Sequence, residues 1–239
     1  MRLSFDKISY FYEKNQALDS VTFHVDSGEI VGLIGENGAG KSTTIKIAVR
    51  YLQPADGRVC LGEKEISDIK LDQYPVSYIP DIPVFYEELS LLEHLQFTKA
   101  MFPDNDISID EILDQFELRA HVSKIPAALS KGTRQKLMIA MAIMRTYEVL
   151  IADEPFSGLD PKQISALKKL FLQQKESKKA VLLSSHLLDI VENICDRYVI
   201  MKKGRIIAEG SQSELMEKAH LSKEATMEQL YLKLVDEYE

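Results

Sequence analysis

Apolar and polar residues alternate along two stretches near the start of the chain, 2–10 and 18–26. In each, one set of positions is hydrophobic: Leu3 and Phe5, then Val21, Phe23 and Val25. A period of two belongs to strands with one buried face, and the charged turn Glu13-Lys14-Asn15 between them predicts an antiparallel pair. EIVGLIG, 29–35, is apolar without alternation and ends in glycine, which suits a strand covered on both faces. From Lys41 the pattern turns helical through Ile45, Ile47, Ala48 and Leu52, and Pro54 is expected to stop that helix.

The stretch from 90 to 145 lacks clear strand patterns. Ser90 with Glu93, and Ser108 with Glu111, have the spacing of capping boxes, and Ile109, Ile112, Leu113 and Phe116 share one face of the second helix. Strand character resumes at VLIAD, 149–153. Asp160-Pro161 then supplies a helix N-cap and a proline at the first helical position. The stretches AVLLSS, 180–185, and RYVIMKKGRIIAEG, 197–210, read as strands. Ser211 with Glu214 and Thr226 with Gln229 predict two short C-terminal helices. Such alternation of buried strands with helices predicts an α/β fold around a mainly parallel sheet, with ligands beyond the carboxyl ends of the strands.

Length and charge narrow the function. A chain of 239 residues accommodates one large domain, or a core with a substantial insertion. With 29 basic and 37 acidic residues the net charge is −8, and the pI near 5.3 gives no footprint for a nucleic-acid backbone. Direct adhesion to an anionic leaflet is disfavoured too, so membrane recruitment is expected through a protein partner. The longest apolar run, 137–144, is eight residues, against the ~20 needed to span a bilayer. The N-terminus carries charges where a signal peptide needs an apolar stretch. Cys60 and Cys195 match no metal spacing and are expected to be buried thiols of a reducing cytoplasm.

The strongest chemical signal is GENGAGKS: Gly35, Glu36, Asn37, Gly38, Ala39, Gly40, Lys41 and Ser42 fit G-x-x-x-x-G-K-[ST] without departure. The glycines let the backbone wrap around phosphates with successive N–H groups pointing inward. Lys41 is expected at the β- and γ-phosphates and the Ser42 hydroxyl on Mg2+, while the helix opening at Lys41 turns its positive end to the same anion. VLIADEP, 149–155, ends an apolar strand in two acids. Alone that is equally a solvated strand end; after a phosphate loop it reads as Asp153 holding Mg2+ and Glu154 polarising the attacking water. LSKGTRQKL, 129–137, opens a helix with Ser130 as N-cap and Gly132 leaving its mouth open, which by itself is a helix start.

In this order the motifs resemble the ATP-binding cassette (ABC) family over essentially the whole chain. GENGAGKST, ending in Thr43, is similar to its Walker A loop and VLIADEP to its Walker B strand with the catalytic glutamate, Glu154. LSKGT, 129–133, stands at the signature, SGLDP, 157–161, at the D-loop, and SSHLL, 184–188, holds the switch histidine at His186. Tyr12 takes the place of the adenine-stacking aromatic; the alternative reading is an ordinary strand tyrosine. The resemblance implies a P-loop NTPase core with an N-terminal antiparallel β subdomain and a helical insertion. The boundaries expected are about 1–85 and 146–210 for the core, 86–145 for the insertion and 211–239 for the C-terminal helices.

It implies ATP as substrate and Mg2+ as cofactor. Two subunits, a homodimer in the ATP state, would pair head to tail with Ser130 and Gly132 on the partner's γ-phosphate and Asp160 at the interface. An integral-membrane permease subunit would anchor the chain at the cytoplasmic face of the membrane. YIPDIPVFYEELSLLEHLQF and the tail MEQLYLKLVDEYE resemble the ATPase subunit of Ecs-type exporters of Gram-positive bacteria.

Two departures stand out. Lys131 and Thr133 replace the commonest signature Gly and Gln, while the phosphate-facing Ser130 and Gly132 are kept. Asp81 stands where the family usually has a glutamine; aspartate is shorter and only accepts hydrogen bonds, so Mg2+ is expected through water. After it, Phe85 and Tyr86 read as exposed aromatics, either core anchors or contacts to the membrane subunit. Each motif occurs once, unlike the paired cassettes of ribosome-acting relatives, and no heptads mark a DNA-repair relative. A nucleotide-gated module without hydrolysis would lack Glu154 or His186.

Overall fold

A computed structural model describes residues 1–222 and 225–238. Strands β1 (Leu3–Tyr12) and β2 (Asn15–Val25) pair antiparallel, Leu3 opposite Val25 and Tyr12 opposite Asn15. The turn is shorter than expected: Asn15 already belongs to β2, and Glu13 at φ 52 supplies the left-handed backbone of a tight hairpin. Inward-facing Leu3, Phe5, Val21, Phe23 and Val25 are buried, with the Phe5 and Phe23 rings stacked 4.3 Å apart.

Every residue of β3 (Ile30–Ile34) is buried, as its unbroken apolar run predicts. Helix α1 (Lys41–Ala48) ends earlier than expected. Arg50 takes φ 65, and the N–H groups of Tyr51 and Leu52 fold back onto the carbonyl of Lys46, so the helix closes before Leu52 and Pro54. Three strands follow where the pattern gave no signal: β4 (Asp56–Leu61), β5 (Lys64–Glu65) and β6 (Val76–Ile79). β4 lies beside β1, giving a four-stranded antiparallel sheet in the order β2-β1-β4-β5.

Helices α2 (Leu91–Met101) and α3 (Ile109–Gln115) open with complete capping boxes at Ser90 and Ser108, and α4 (Lys131–Ile143) opens at Ser130. Then come β7 (Val149–Ala152), α5 (Pro161–Glu176) with Asp160 and Gln163 capping each other, β8 (Ala180–Ser185) and the single turn α6 (Leu188–Val191). The stretch 197–210 is two strands, β9 (Arg197–Lys202) and β10 (Arg205–Gly210). They fold antiparallel because Lys203 (φ 48) and Gly204 (φ 79) both turn left-handed. α7 (Gln212–Lys218) and α8 (Met227–Tyr238) close the chain, capped by Ser211–Glu214 and Thr226–Gln229.

The second sheet has six strands in the order β10-β9-β3-β8-β7-β6, parallel from β9 to β6. Along β3, β7 and β8 successive residues enter two cores. Ile30, Ile34, Leu150, Ala152, Val181 and Leu183 meet the helices of one face. Val31, Leu33, Val149, Ile151 and Leu182 meet α1 and the antiparallel sheet on the other. Because the strands are parallel and in step, Ile34 opposite Ser185 and Ile79 opposite Ala152, the loops after β3, β6, β7 and β8 leave from one edge. Cys60 and Cys195 are free thiols; Cys60 is half-buried, while the Cys195 thiol packs against the core beside Gly32, where burial raises its pKa.

Candidate active site

The loop after β3 is shaped by what surrounds it. A side chain at Gly35 would come within 2.6 Å of the Met201 carbonyl at the end of β9, so only glycine lets the loop pass there. Gly40, at φ 108, is the N-cap of α1, and a Cβ on it would overlap Leu18 of β2. Glu36, Asn37 and Gly38 form the exposed crown, and Gly38 faces open space. Ala39 and Thr43 are buried at its base. Buried Lys41 folds back over the loop, donating from Nζ to the carbonyls of Gly35 (2.6 Å) and Glu36 (3.2 Å).

The acids after β7 lie against this loop. Asp153 is buried, and its Oδ1 sits 3.3 Å from Ser42 Oγ. Ser184, near the end of β8, donates from Oγ to the same Oδ1 (2.6 Å) and accepts the backbone N–H of Glu154 (2.9 Å). Glu154 is thereby held at φ 46, a left-handed conformation that costs a side-chain-bearing residue about 1–3 kcal/mol. Its carboxylate accepts from Nδ1 of His186 (2.8 Å) and lies 3.7 Å from Lys41 Nζ. Lys41, Ser42, Asp153, Glu154 and His186 thus form one polar cluster at the sheet edge.

Asp81, just past β6, lines a cleft of about 640 Å³ together with Ser42 and Asp153. Partial desolvation, then the charges of Asp153 and Glu154, hold its carboxyl above the ordinary aspartate range. Ser130 and Gly132 pack elsewhere. The Ser130 hydroxyl caps α4 through Thr133, and Gly132 faces the side chain of Gln163 in α5. Lys131 lies across Gly158, so the stretches 129–133 and 157–161 touch within the chain. Tyr12 is exposed at the end of β1, its ring edge-on to Tyr10.

One expectation needs correction. Phe85 is half-buried, edge-on to the fully buried His94 ring, so of the two aromatics only Tyr86 is exposed. His94 donates from Nδ1 to the Ser90 carbonyl and accepts the Tyr86 N–H on Nε2, which pins the loop. Two residues had not been singled out. Ser184, a strand-end hydroxyl two positions before His186, could have been found from that spacing. Tyr231, whose hydroxyl accepts the N–H of Glu36 at 3.1 Å, had no local signal.

The donor set suits a small hard cation. Ser42 and Asp153 offer adjacent oxygens, and no group of three or more His, Cys, Asp or Glu residues that could form a closed cage exists among the described residues. Magnesium is held this way, by one or two protein oxygens with phosphates and waters completing the shell.

Residues 18–157 match the ABC transporter family. Over 240 residues the chain is 37% identical to the ABC-type transporter ATP-binding protein EcsA of Bacillus subtilis (strain 168), covering 98% of this chain and 97% of EcsA. It is 28% identical to the lipopolysaccharide export system ATP-binding protein LptB of Haemophilus influenzae, over 90% of this chain and 92% of LptB. A solved structure described as an ATP binding subunit of an ABC transporter superposes with a TM-score of 0.89 at 37% identity, covering 98% of this chain and all of that one. The chain therefore belongs to the ABC transporter family, as an ATP-binding subunit that hydrolyses ATP.

Proposed function

We propose that this ATPase works as one of two identical subunits that pair head to tail around ATP and drive an exporter through a separate membrane permease. The observation that carries the reading is the joining of Lys41, Glu154 and His186 beside Ser42 and Asp153. The N–H groups of the loop 38–43 bind the phosphates, and Lys41 turns from the Gly35 and Glu36 carbonyls to the β- and γ-phosphates. Ser42 and Asp153 would hold Mg2+, which would supply positive charge beside the phosphates. Glu154 takes up the proton of the attacking water while His186 keeps its carboxylate aimed. Tyr12 would support the adenine, and Asp81 would contribute to holding the cation.

The placement of Ser130 and Gly132 supports head-to-tail pairing. Among the described residues the Ser130 hydroxyl bonds within its own helix start, and the exposed N-terminus of that helix suits an anion brought by a second copy. Asp160, which caps α5 beside that contact, then lies near the interface.

The permease would dock at the cleft beside Asp81. Ile82, Val84, Tyr86 and Met101 are exposed there by 73%, 79%, 56% and 58%. Arg145, stacked 4.6 Å over Phe102 and lining the cleft, has a buried Nε with no hydrogen-bond partner among the described residues. A permease helix carrying a carboxylate would pair with the part of this guanidinium that lines the cleft. No described helix is long and apolar enough to cross a membrane. Attachment to the cytoplasmic face would therefore come from the partner. Export as the direction is supported by the likeness to LptB, a protein of an export system.

The test is Glu154→Gln. ATP binding should persist while turnover falls roughly 10²–10⁴-fold, the range for loss of a general base. Sedimentation should show a monomer without nucleotide and a dimer with ATP. Wild-type turnover in this variant removes Glu154 from the mechanism; a monomer with ATP bound removes the head-to-tail pairing.

A further inference from the structure

The C-terminal helix reaches the phosphate loop. Tyr231 of α8 accepts the N–H of Glu36 at 3.1 Å, and Lys41 Nζ donates to the carbonyl of Gly35 at 2.6 Å. That N–H and that carbonyl belong to one peptide plane, the Gly35–Glu36 bond, and point in opposite directions from it. The plane is gripped at one edge by the phosphate-binding lysine and at the other by a tyrosine 195 residues away in sequence. α8 is itself anchored. Met227 and Leu230 are buried, and the carbonyl of Val235, one turn beyond Tyr231 on the same face, accepts from Lys202 Nζ at the end of β9. The same strand end carries the Met201 carbonyl that crowds Gly35. The phosphate loop, β9 and α8 are one packed unit.

Lys41 Nζ already donates to two carbonyls, and ATP would draw its donors away from Gly35 and Glu36 toward the phosphates. When it turns to ATP, the Gly35 carbonyl loses its donor and Tyr231 remains to stop the peptide from rotating. We infer that Tyr231 is a positioning residue for the phosphate loop, and that α8 docks more tightly when ATP is bound. The second half follows from the first: a contact worth more in the ATP state strengthens ATP binding, and ATP strengthens the contact by the same factor. The C-terminal helix thus reports whether the nucleotide site is filled. This rests on reading 35–43 as the phosphate loop.

Tyr231→Phe keeps the ring and removes only the hydroxyl. Calorimetry should show ATP bound about 3–10-fold more weakly, up to the worth of one neutral hydrogen bond, with kcat within about twofold and the melting temperature without nucleotide lowered by no more than a few degrees. Hydrogen exchange should slow across 227–238 when wild-type protein binds ATP, and that response should shrink in Tyr231→Phe while the Glu36 amide exchanges faster. Lys41→Ala separates the two readings. If it binds ATP as well as wild type, the phosphate-loop assignment fails. If it loses binding while Tyr231→Phe binds as tightly as wild type, or while α8 exchange in wild type is unmoved by ATP, the role of Tyr231 alone is overturned.

Discussion

The carboxylate of Glu154 accepts two hydrogen bonds from a single residue, His186: one from Nδ1 at 2.8 Å and one from the backbone N–H at 3.3 Å. These bonds join the end of β7 to the end of β8 and leave Oε1 turned to Lys41, 3.7 Å away.

Removing the ring leaves the backbone donor in place, so His186→Ala should keep part of the aim. Turnover should drop roughly 10–10²-fold, the cost of about an ångström of misplacement and less than the loss of the base itself. ATP affinity should be unchanged. Steady-state and equilibrium-binding measurements check both; wild-type turnover would detach His186 from the reaction.

Ser184 bridges Asp153 and the Glu154 N–H while fully buried. Ser184→Ala should lower stability by about 1–3 kcal/mol, because a buried N–H is left unpaired and a carboxylate loses a donor. Turnover should also fall as Glu154 relaxes from its left-handed backbone. Urea unfolding with parallel ATPase assays tests this; unchanged stability would refute the bridge.

Asp81 is held above the ordinary aspartate range by desolvation and by Asp153 and Glu154. A raised carboxyl is disfavoured when ionised, so without nucleotide its charge destabilises the fold at neutral pH and ceases to do so once protonated. Asp81→Asn should therefore raise the melting temperature at pH 7. That gain should vanish below about pH 3.9, the unperturbed aspartate value. Asp81→Ala should lower turnover modestly and leave ATP affinity within a few-fold. Abolished ATP binding would make Asp81 a direct ligand and exclude contact through water.

Tyr86 and Phe85 are neighbours with different expectations. Tyr86→Ala removes an exposed ring packed on Phe97 and should spare basal ATPase while weakening assembly with a co-expressed permease. Phe85→Ala removes a half-buried ring from His94 and should cost stability first, by roughly 0.5–3 kcal/mol. Equal assembly of wild type and Tyr86→Ala would move the docking surface away from this loop.

Most of what the sequence determined by itself is local. Capping boxes at Ser90, Ser108 and Ser211 close within three residues, so the spacing carries the whole interaction and the helix starts are legible. The same holds for β3, whose unbroken apolar run requires cover on both faces, and for the phosphate loop, whose lysine side chain reaches the carbonyl of its own first glycine. Other local features carried a weaker signal. The end of α1 at Arg50 and the split of 197–210 at Lys203-Gly204 depend on single residues turning left-handed, two of them without the glycine that marks such a turn.

Tertiary structure decided what joins residues far apart in the chain. β4 and β6 are short or weakly patterned, and each is a strand because a neighbour, β1 or β7, offers it a hydrogen-bonded edge. Phe85 is half-buried because His94 on α2 waits beneath it, and Ser184 matters because β8 runs beside β7. Tyr231 touches Glu36 because α8 folds back beside the end of β9. Periodicity and caps report the few residues over which a backbone geometry repeats. A partner from a distant segment is chosen by packing, and no spacing along the chain encodes it.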